Sequence, residues 1–557
     1  MNETNGNENM IKLEIKDWLY NAGLIGLYRI LKHAEKEVYA KDNYIEFDLS
    51  CLDNFEKMYF AYFSDTYGKE GLWYKLTSFL KGVGFPSNQE GLDEEKIKTF
   101  VKEFDKELVK ASYMTAYEIA GQEKDLIKNQ LKIIKDKSSS IEEKRAKISE
   151  IYGFFIDNGS VIGAKFVSYA IIHFYWSGKS FLNKQLVKEN MFDLYKKDFV
   201  EPTIAFVQSE EKKSPFGHCS VCNRVLNKKT DGNEGLSWLN MDLDSARKTS
   251  VYWNHQPSLI VCPLCYMVYT CVPAGFVTFK RKGIFINENS EIRNLINMNN
   301  LLISRMDDIK NLEEGEEYTY FHIINLIREM REKHLKKELD NIQVVKYDND
   351  AGYSFNILSR ELLRVIDKSH NELHMLTERY IKTDDRRYLN LYKEVIDRLY
   401  KNMDLYPIIS YLLGDGLRKK SKTGNADLVF KINLNFIGGN MVDSNNAIWD
   451  KKILAMKQIG LSLKKGYGDE PNKIQGIAYR LLNNLKTKNI NGFMDVLINC
   501  HMHIRKEVPT LFVECIDDVE RFQALGYAFL IGFMGEEYIP KTKKENMDST
   551  GEMANEK

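Results

Sequence analysis

Ile15-Lys-Asp-Trp-Leu-Tyr-Asn-Ala-Gly-Leu-Ile-Gly-Leu-Tyr-Arg-Ile-Leu31 carries apolar side chains at helical spacing, and Asp17 stands where an N-cap starts a helix. The same texture extends outward. Glu94–Ile134 and Glu142–Val187 read as amphipathic helical stretches separated by a break at Ser138–Ser140. Tyr44-Ile-Glu-Phe-Asp-Leu49 alternates and predicts a short strand. From Phe216 to Asn289 the chain turns rich in Gly, Asn, Pro and Cys, with strand-like runs at Phe276–Phe279 and Gly283–Asn287. Helical character returns over Glu291–Asn402, interrupted near Val344–Leu358. Ala426–Gly438 alternates and reads as a strand. Beyond Met441, the segments Ile453–Leu463, Ile474–Lys486, Asn491–Lys506 and Val519–Met534 predict four or five helices with short connections, a bundle in itself.

A chain of 557 residues has room for about three or four domains. Lys plus Arg equals Asp plus Glu at 79 each, which removes a uniformly basic nucleic-acid binder but leaves room for local basic patches. A hydrophobic content of 43% with only 10 prolines is that of a folded, helix-rich protein. The most apolar runs do not predict a membrane span: Val161–Trp176 is broken by Lys165, and Phe522–Met534 is too short. Met1–Asn9 is polar and acidic, not basic then apolar as a secretory signal is, so a cytoplasmic chain is expected.

Eight cysteines are too few for a disulfide scaffold, and five of them lie between Cys219 and Cys271. His218-Cys219-Ser-Val-Cys222 and Val261-Cys262-Pro-Leu-Cys265-Tyr266 are two CxxC knuckles 39 residues apart. A zinc ion takes four soft ligands at tetrahedral corners, and each knuckle supplies two thiolates from one tight turn. Cys219, Cys222, Cys262 and Cys265 are therefore the expected ligands of one structural Zn2+, with His218 and His255 as alternatives and Asn223–Val261 as a loop or small excursion. Cys271 reads as a packed thiol, as do Cys51, Cys500 and Cys515. The expected fold class is mainly α with small β elements (α+β). A helical N-terminal domain (1–200) precedes an inserted zinc-knuckle β module (201–290), a middle helical segment with short strands (291–440), a C-terminal helical bundle (441–537) and a disordered tail (538–557).

No catalytic centre is legible. Ser177-Gly-Lys-Ser180 ends like a phosphate-binding loop, but His173 occupies the position of its first glycine. His370-Asn-Glu-Leu-His374 lacks a Glu directly beside either histidine, as the metalloprotease motifs require. There is no His-Asp dipeptide and no GxSxG elbow. Charge is instead unevenly spread. Glu211–Lys282 holds 10 Lys or Arg against 5 Asp or Glu, Gly414–Lys465 holds 10 against 4, and Leu301–Asp350 holds 12 acids to 8 bases. Two basic islands and an acidic stretch suit a protein that docks nucleic acid on one face and proteins on another. Phe279-Lys-Arg-Lys-Gly283 reads as a hairpin tip presenting Lys280, Arg281 and Lys282. Arg418, Lys419, Lys420, Lys464 and Lys465 mark the second island.

Taken together, Trp18–Leu31, the two knuckles, Gly476-Ile-Ala-Tyr-Arg-Leu-Leu-Asn-Asn-Leu485 and Lys506-Glu-Val-Pro509 resemble the Cst-type large subunit of type I-B CRISPR effector complexes (Cascade). The order and spacing cover roughly residues 11–537, although 290–430 matches in character only. The resemblance implies a non-catalytic subunit of a crRNA-guided antiviral complex. It would sit beside the crRNA-capping and backbone subunits, help to recognise the motif flanking a double-stranded DNA target (PAM), support strand opening and recruit a helicase-nuclease, with no membrane partner. The C-terminal bundle would then resemble a separate small subunit. In that setting the basic residues above are candidate DNA contacts, and Asn21, inside the family-like motif, is a candidate for reading base edges. The alternative is a zinc-containing nuclease or other nucleic-acid enzyme with dispersed carboxylates.

Overall fold

A computed structural model describes residues 9–87, 91–123, 125–209, 216–228, 232–239, 260–279, 281–304, 342–348, 352–382, 388–419, 423–440, 446–468 and 470–535. His255, Lys280, Lys420, most of the acidic stretch and the C-terminal tail lie outside them. The protein is mainly helical with small antiparallel sheets, and the cysteine cluster stands mid-chain. It forms two compact units, Met1–Asn311 with Ile342–Asn356 and Leu312–Asn341 with Ile357–Lys557. Among the described residues no helix is long and apolar enough to cross a membrane.

The first unit is built around the helix Trp18–His33. The Asp17 carboxylate accepts from the Leu19 and Tyr20 amides (2.9 and 3.2 Å) and so caps its first turn. Eleven of its residues are buried, including Asn21 and Arg29. It is therefore a core helix. Small residues let it meet the helices Pro263–Thr270 and Val272–Gly275 almost backbone to backbone. A Cβ on Gly26 would fall 1.9 Å from the Cys271 carbonyl oxygen, and one on Gly275 would fall 1.9 Å from that of Ala22. Buried donors satisfy the carbonyls where those two helices end. Arg29 Nη1 donates to Ala274 and Gly275 (both 2.8 Å), and the Tyr59 hydroxyl, from the helix Phe55–Tyr67, donates to Thr270 (2.8 Å).

Around this centre, Met10–Glu14, Tyr44–Asp48 and Val38–Lys41 form a three-stranded antiparallel sheet with Tyr44–Asp48 in the middle. A second sheet runs Gly352–Leu358, Ile342–Asp348, Lys282–Asn287, Val277–Phe279, all antiparallel. Both strand runs expected near residue 280 are present, and they pair in the register Phe279↔Lys282 as a tight hairpin. Arg281 has φ +60, the left-handed conformation that such turns require. A separate helical core gathers side chains such as Leu76, Phe100, Leu131, Ile151 and Ile162. The expected stretch Glu94–Ile134 is divided into Glu94–Leu108, Ala111–Ile119 and Leu126–Lys135. Gly121, at φ +80, ends the second of these, with Gln122 N–H donating to Tyr117 O (2.9 Å). At the Ser138–Ser140 break, Ser140 caps the helix Ile141–Asp157.

In the second unit the helices Tyr406–Lys419, Gly424–Asn440, Asn446–Gly466, Pro471–Lys486, Ile490–Ile504 and Val519–Met534 pack together. The expected strand at Ala426–Gly438 is instead part of the helix Gly424–Asn440. Over so short a run, alternation and helical spacing overlap. The buried set Ala426, Val429, Phe430, Ile432, Asn433 and Ile437 recurs at the three- and four-residue steps of a helix, while Leu434 and Phe436, which an alternating strand would bury with Phe430 and Ile432, stay half-exposed. Asn433 is there to cap, its Oδ1 accepting from the Leu405 amide (2.8 Å). The helices Asn446–Gly466 and Val519–Met534 cross at Gly460 and Gly532, where Cβ atoms would fall 2.1 Å from Phe529 O and 2.0 Å from Lys457 O.

Gly26→Ala should lower the stability of the first unit by about 3 kcal/mol or more, because backbone rather than a side-chain tip must give way. Gly153→Ala, whose Cβ meets nothing within 4 Å in the middle of the helix Ile141–Asp157, should raise it by roughly 0.5–1 kcal/mol. Urea denaturation of the two variants checks both signs.

Candidate metal centre

The first knuckle is the turn of a small hairpin, in which Gly217–His218 pairs with Val225–Leu226. Cys219 N–H donates to Arg224 O (2.9 Å), Asn223 N–H donates to Cys219 O (2.9 Å), and Asn223 takes φ +59 to close the loop. The second knuckle is the start of a helix. Cys262 is the N-cap of Pro263–Thr270, with Pro263 in the first turn and Cys265 N–H donating to Cys262 Sγ (3.4 Å). Ser220 N–H donates to Ile260 O (2.9 Å) and joins the two knuckles directly.

Their four sulfur atoms lie within 4.8 Å of one another, with Cys222 Sγ and Cys262 Sγ 3.6 Å apart. Four thiolates about 2.3 Å from one ion stand about 3.8 Å from each other, so the cluster has the size of a closed tetrahedral site. Cys219, Cys262 and Cys265 are buried, and Cys222 is half-buried. Amides point at the sulfurs, with Val221 N–H and Cys262 N–H donating to Cys219 Sγ (3.4 and 3.2 Å). Hydrogen bonds from Cys222, Cys262 and Cys265 pull the Cys219 pKa down. Hydrogen bonds among the same thiols push those of Cys262 and Cys265 up. A dication bound among sulfurs crowded this closely displaces the thiol protons that they otherwise share. The four cysteines are close enough to bind one metal ion.

Two residues around the sulfurs went unread in the sequence. Cys265 Sγ is 3.9 Å from the Tyr20 hydroxyl, and burial, then the charges of Cys265 and Cys222, keep that phenol protonated. Arg224 anchors by Nη2 to Lys12 O (2.7 Å). Burial acts to lower its pKa, but attraction to the neighbouring sulfurs, Cys222 first, outweighs that and raises it. Arg224, a cation two residues beyond Cys222, was a readable signal, whereas Tyr20 stands 245 residues from its sulfur. Among the described residues no other group of three or more His, Cys, Asp or Glu is placed to hold a metal. His218 is exposed, and Cys271 is packed, its thiol pushed up to about 12 by burial.

The remaining candidates are dispersed. Arg281 is exposed at its hairpin tip, and Lys282 is half-buried in the following strand. Lys419 pairs with Asp415 (2.9 Å), with Arg418 at 3.8 Å from the same carboxylate. Lys464 donates to Gly535 O (2.7 Å), and Lys465 stands in the same last turn of its helix. Asn21 is fully buried. Its side chain accepts from Lys16 N–H (2.6 Å) and donates to Lys16 O, Asn287 Oδ1 and Asn289 Oδ1 (3.0, 2.9 and 2.8 Å), so its amide is engaged inside the fold. The Ser177–Ser180 loop leads only into the three-residue turn Ser180–Leu182, too short to cradle a phosphate.

Purified without chelator, the protein should carry one metal ion per chain by elemental analysis. Cys262→Ser should lose nearly all of it, and His218→Ala should keep it. Structural four-thiolate sites contribute roughly 10–16 kcal/mol of apparent binding free energy, so Cys262→Ser should also loosen the Trp18–His33 packing as seen by amide exchange.

A family model described as CRISPR-associated protein (Cas_CXXC_CXXC) matches residues 212–277, the stretch that holds both knuckles. No curated protein and no solved structure matches the chain. The match supports a CRISPR-associated protein with a role in CRISPR defence.

Proposed function

We propose that the chain is the Cst-type large subunit of a crRNA-guided type I-B CRISPR effector complex. One observation carries this reading. The four-cysteine cluster lies within the residues that match the CRISPR family model, and the helix that resembles the subunit's N-terminal motif packs on the second knuckle. The ion is zinc, the metal that four thiolates in a closed tetrahedral site favour, and its role is structural. In this reading the protein catalyses nothing. It works in the cytoplasm with the crRNA, the backbone and capping subunits and the double-stranded target, and it presents a surface to a helicase-nuclease. Sequence is read by guide–target pairing, and the protein contributes the flanking motif and backbone contacts. Arg281, with its neighbours Lys280 and Lys282, takes the DNA backbone at the hairpin tip. Arg418, Lys419, Lys420, Lys464 and Lys465 supply the second set of cations.

A tagged chain drawn from its host should bring a short RNA of uniform length and several partner proteins with it. Cleavage of DNA by the purified chain with a divalent metal and no RNA would replace this reading with that of an enzyme. In the assembled complex, Arg281→Ala with Lys282→Ala should weaken target binding equally for all flanking motifs. The log–log salt slope should flatten by about 0.9 for each duplex phosphate that the variant no longer neutralises.

A further inference from the structure

Two helices of the second unit, Tyr406–Lys419 and Pro471–Lys486, leave a groove of about 650 Å³ between them. Its walls are helical stripes. Asn472, Tyr479, Asn483 and Lys486 recur at the helical period on one side, and Tyr411, Gly414 and Arg418 do so on the other. Gln475 Nε2 donates to Leu417 O (2.7 Å) and ties the walls together. Among the described residues no carboxylate lines the groove; Asp415 lies outside the lining, paired with Lys419 (2.9 Å) and with Arg418 (3.8 Å). The glycines along it are not demanded by packing. A Cβ on Gly476 would meet nothing within 4 Å, and one on Gly414 would touch only Leu482 at 3.8 Å. Their missing side chains leave the middle of the groove open. The Tyr411 hydroxyl donates to Lys382 O (3.5 Å), which sets the hairpin Tyr380–Lys382 and Tyr388–Asn390 beside the groove. Tyr380, Tyr388 and Tyr479 are 52%, 68% and 59% exposed, and the Lys382 ammonium lies 5.8 Å from the Tyr388 ring.

We propose that this groove and the adjoining hairpin bind single-stranded nucleic acid, with bases stacked on the tyrosines and phosphates held by Arg418 and Lys486. Exposed aromatic faces interleaved with cations are the means by which proteins hold single strands without reading sequence. The amides of Asn472 and Asn483 can meet base edges as donors or acceptors. From Asn472 to Lys486 the stripe runs about 21 Å, room for about six stacked nucleotides. A duplex hides its base faces and cannot use the tyrosines. The choice of nucleic acid as occupant rests on the function proposed above. Binding of a free oligonucleotide and copurification of RNA with partners are separate readouts, so either can fail alone.

The test is fluorescence anisotropy of the full chain with labelled 12-mers of oligo-dT and oligo-U, a 12-base-pair duplex and a poly-Glu peptide, each at several salt concentrations. One or both single strands should bind more tightly than the duplex and the peptide; a preference between them says whether the natural strand is DNA or RNA. Tyr479→Ala should weaken binding about five- to a hundredfold, the range a lost base stack carries, and Tyr479→Phe should restore it. Lys486→Ala should flatten the salt slope by about 0.7. Gly476→Glu, which adds a carboxylate where there is room for it, should abolish binding. Matched thermal melting shows that each variant is folded. Failure of the wild type to bind either strand, variants that bind as the wild type does, or preference for the duplex or the acidic peptide would overturn the proposal.

Discussion

Four sulfur atoms within 4.8 Å of one another set the constraint on which the first unit depends. Two thiolates at the 3.6 Å of Cys222 and Cys262 repel by about 4–5 kcal/mol at an effective dielectric of about 20, and four make six such pairs. The chain cannot hold the arrangement ionised without a cation among the sulfurs. A dication leaves a net charge of −2, and the features around it all answer that charge: amide donors from Val221, Cys262 and Cys265, the Tyr20 phenol, and Arg224.

From the sulfurs the constraint passes into the core through covalent neighbours. Cys262 and Cys265 begin the helix whose far end, at Cys271, presses on Gly26. The next turn, at Gly275, presses on Ala22. Arg224 reaches Lys12 in the first strand, and Arg29 closes the carbonyls of Ala274 and Gly275. The knuckles therefore do not form a free-standing appendage. Loss of an ion bound there would release the end of a central helix, and with it the surface on which Trp18–His33 rests.

What the sequence made legible and what it hid divide along physical lines. Local signals were readable. Asp17 and Ser140 cap where their side chains predict, the hairpin at Arg281 forms at the expected turn, and the two CxxC pairs converge. The signals that failed were those in which two periods overlap or partners are remote. Ala426–Gly438 alternates well enough to pass for a strand, and the burial of Val429 and Asn433 beside half-exposed Leu434 and Phe436 decides for the helix. Asn21 carries the donors and acceptors of a base reader, yet Asn287 and Asn289, more than 260 residues away, engage its amide. Tyr20 and Arg29 face the same limit, since both act on groups contributed by distant segments of the chain.

The CRISPR match and the thiol cluster fall on the same residues, so the metal centre is where the structural and functional accounts meet. X-ray absorption at the zinc edge on the purified chain tests that centre most directly. The account predicts a single shell of four sulfur scatterers at about 2.3 Å with no nitrogen or oxygen ligand. A shell containing nitrogen or oxygen, or no zinc edge at all, would contradict it.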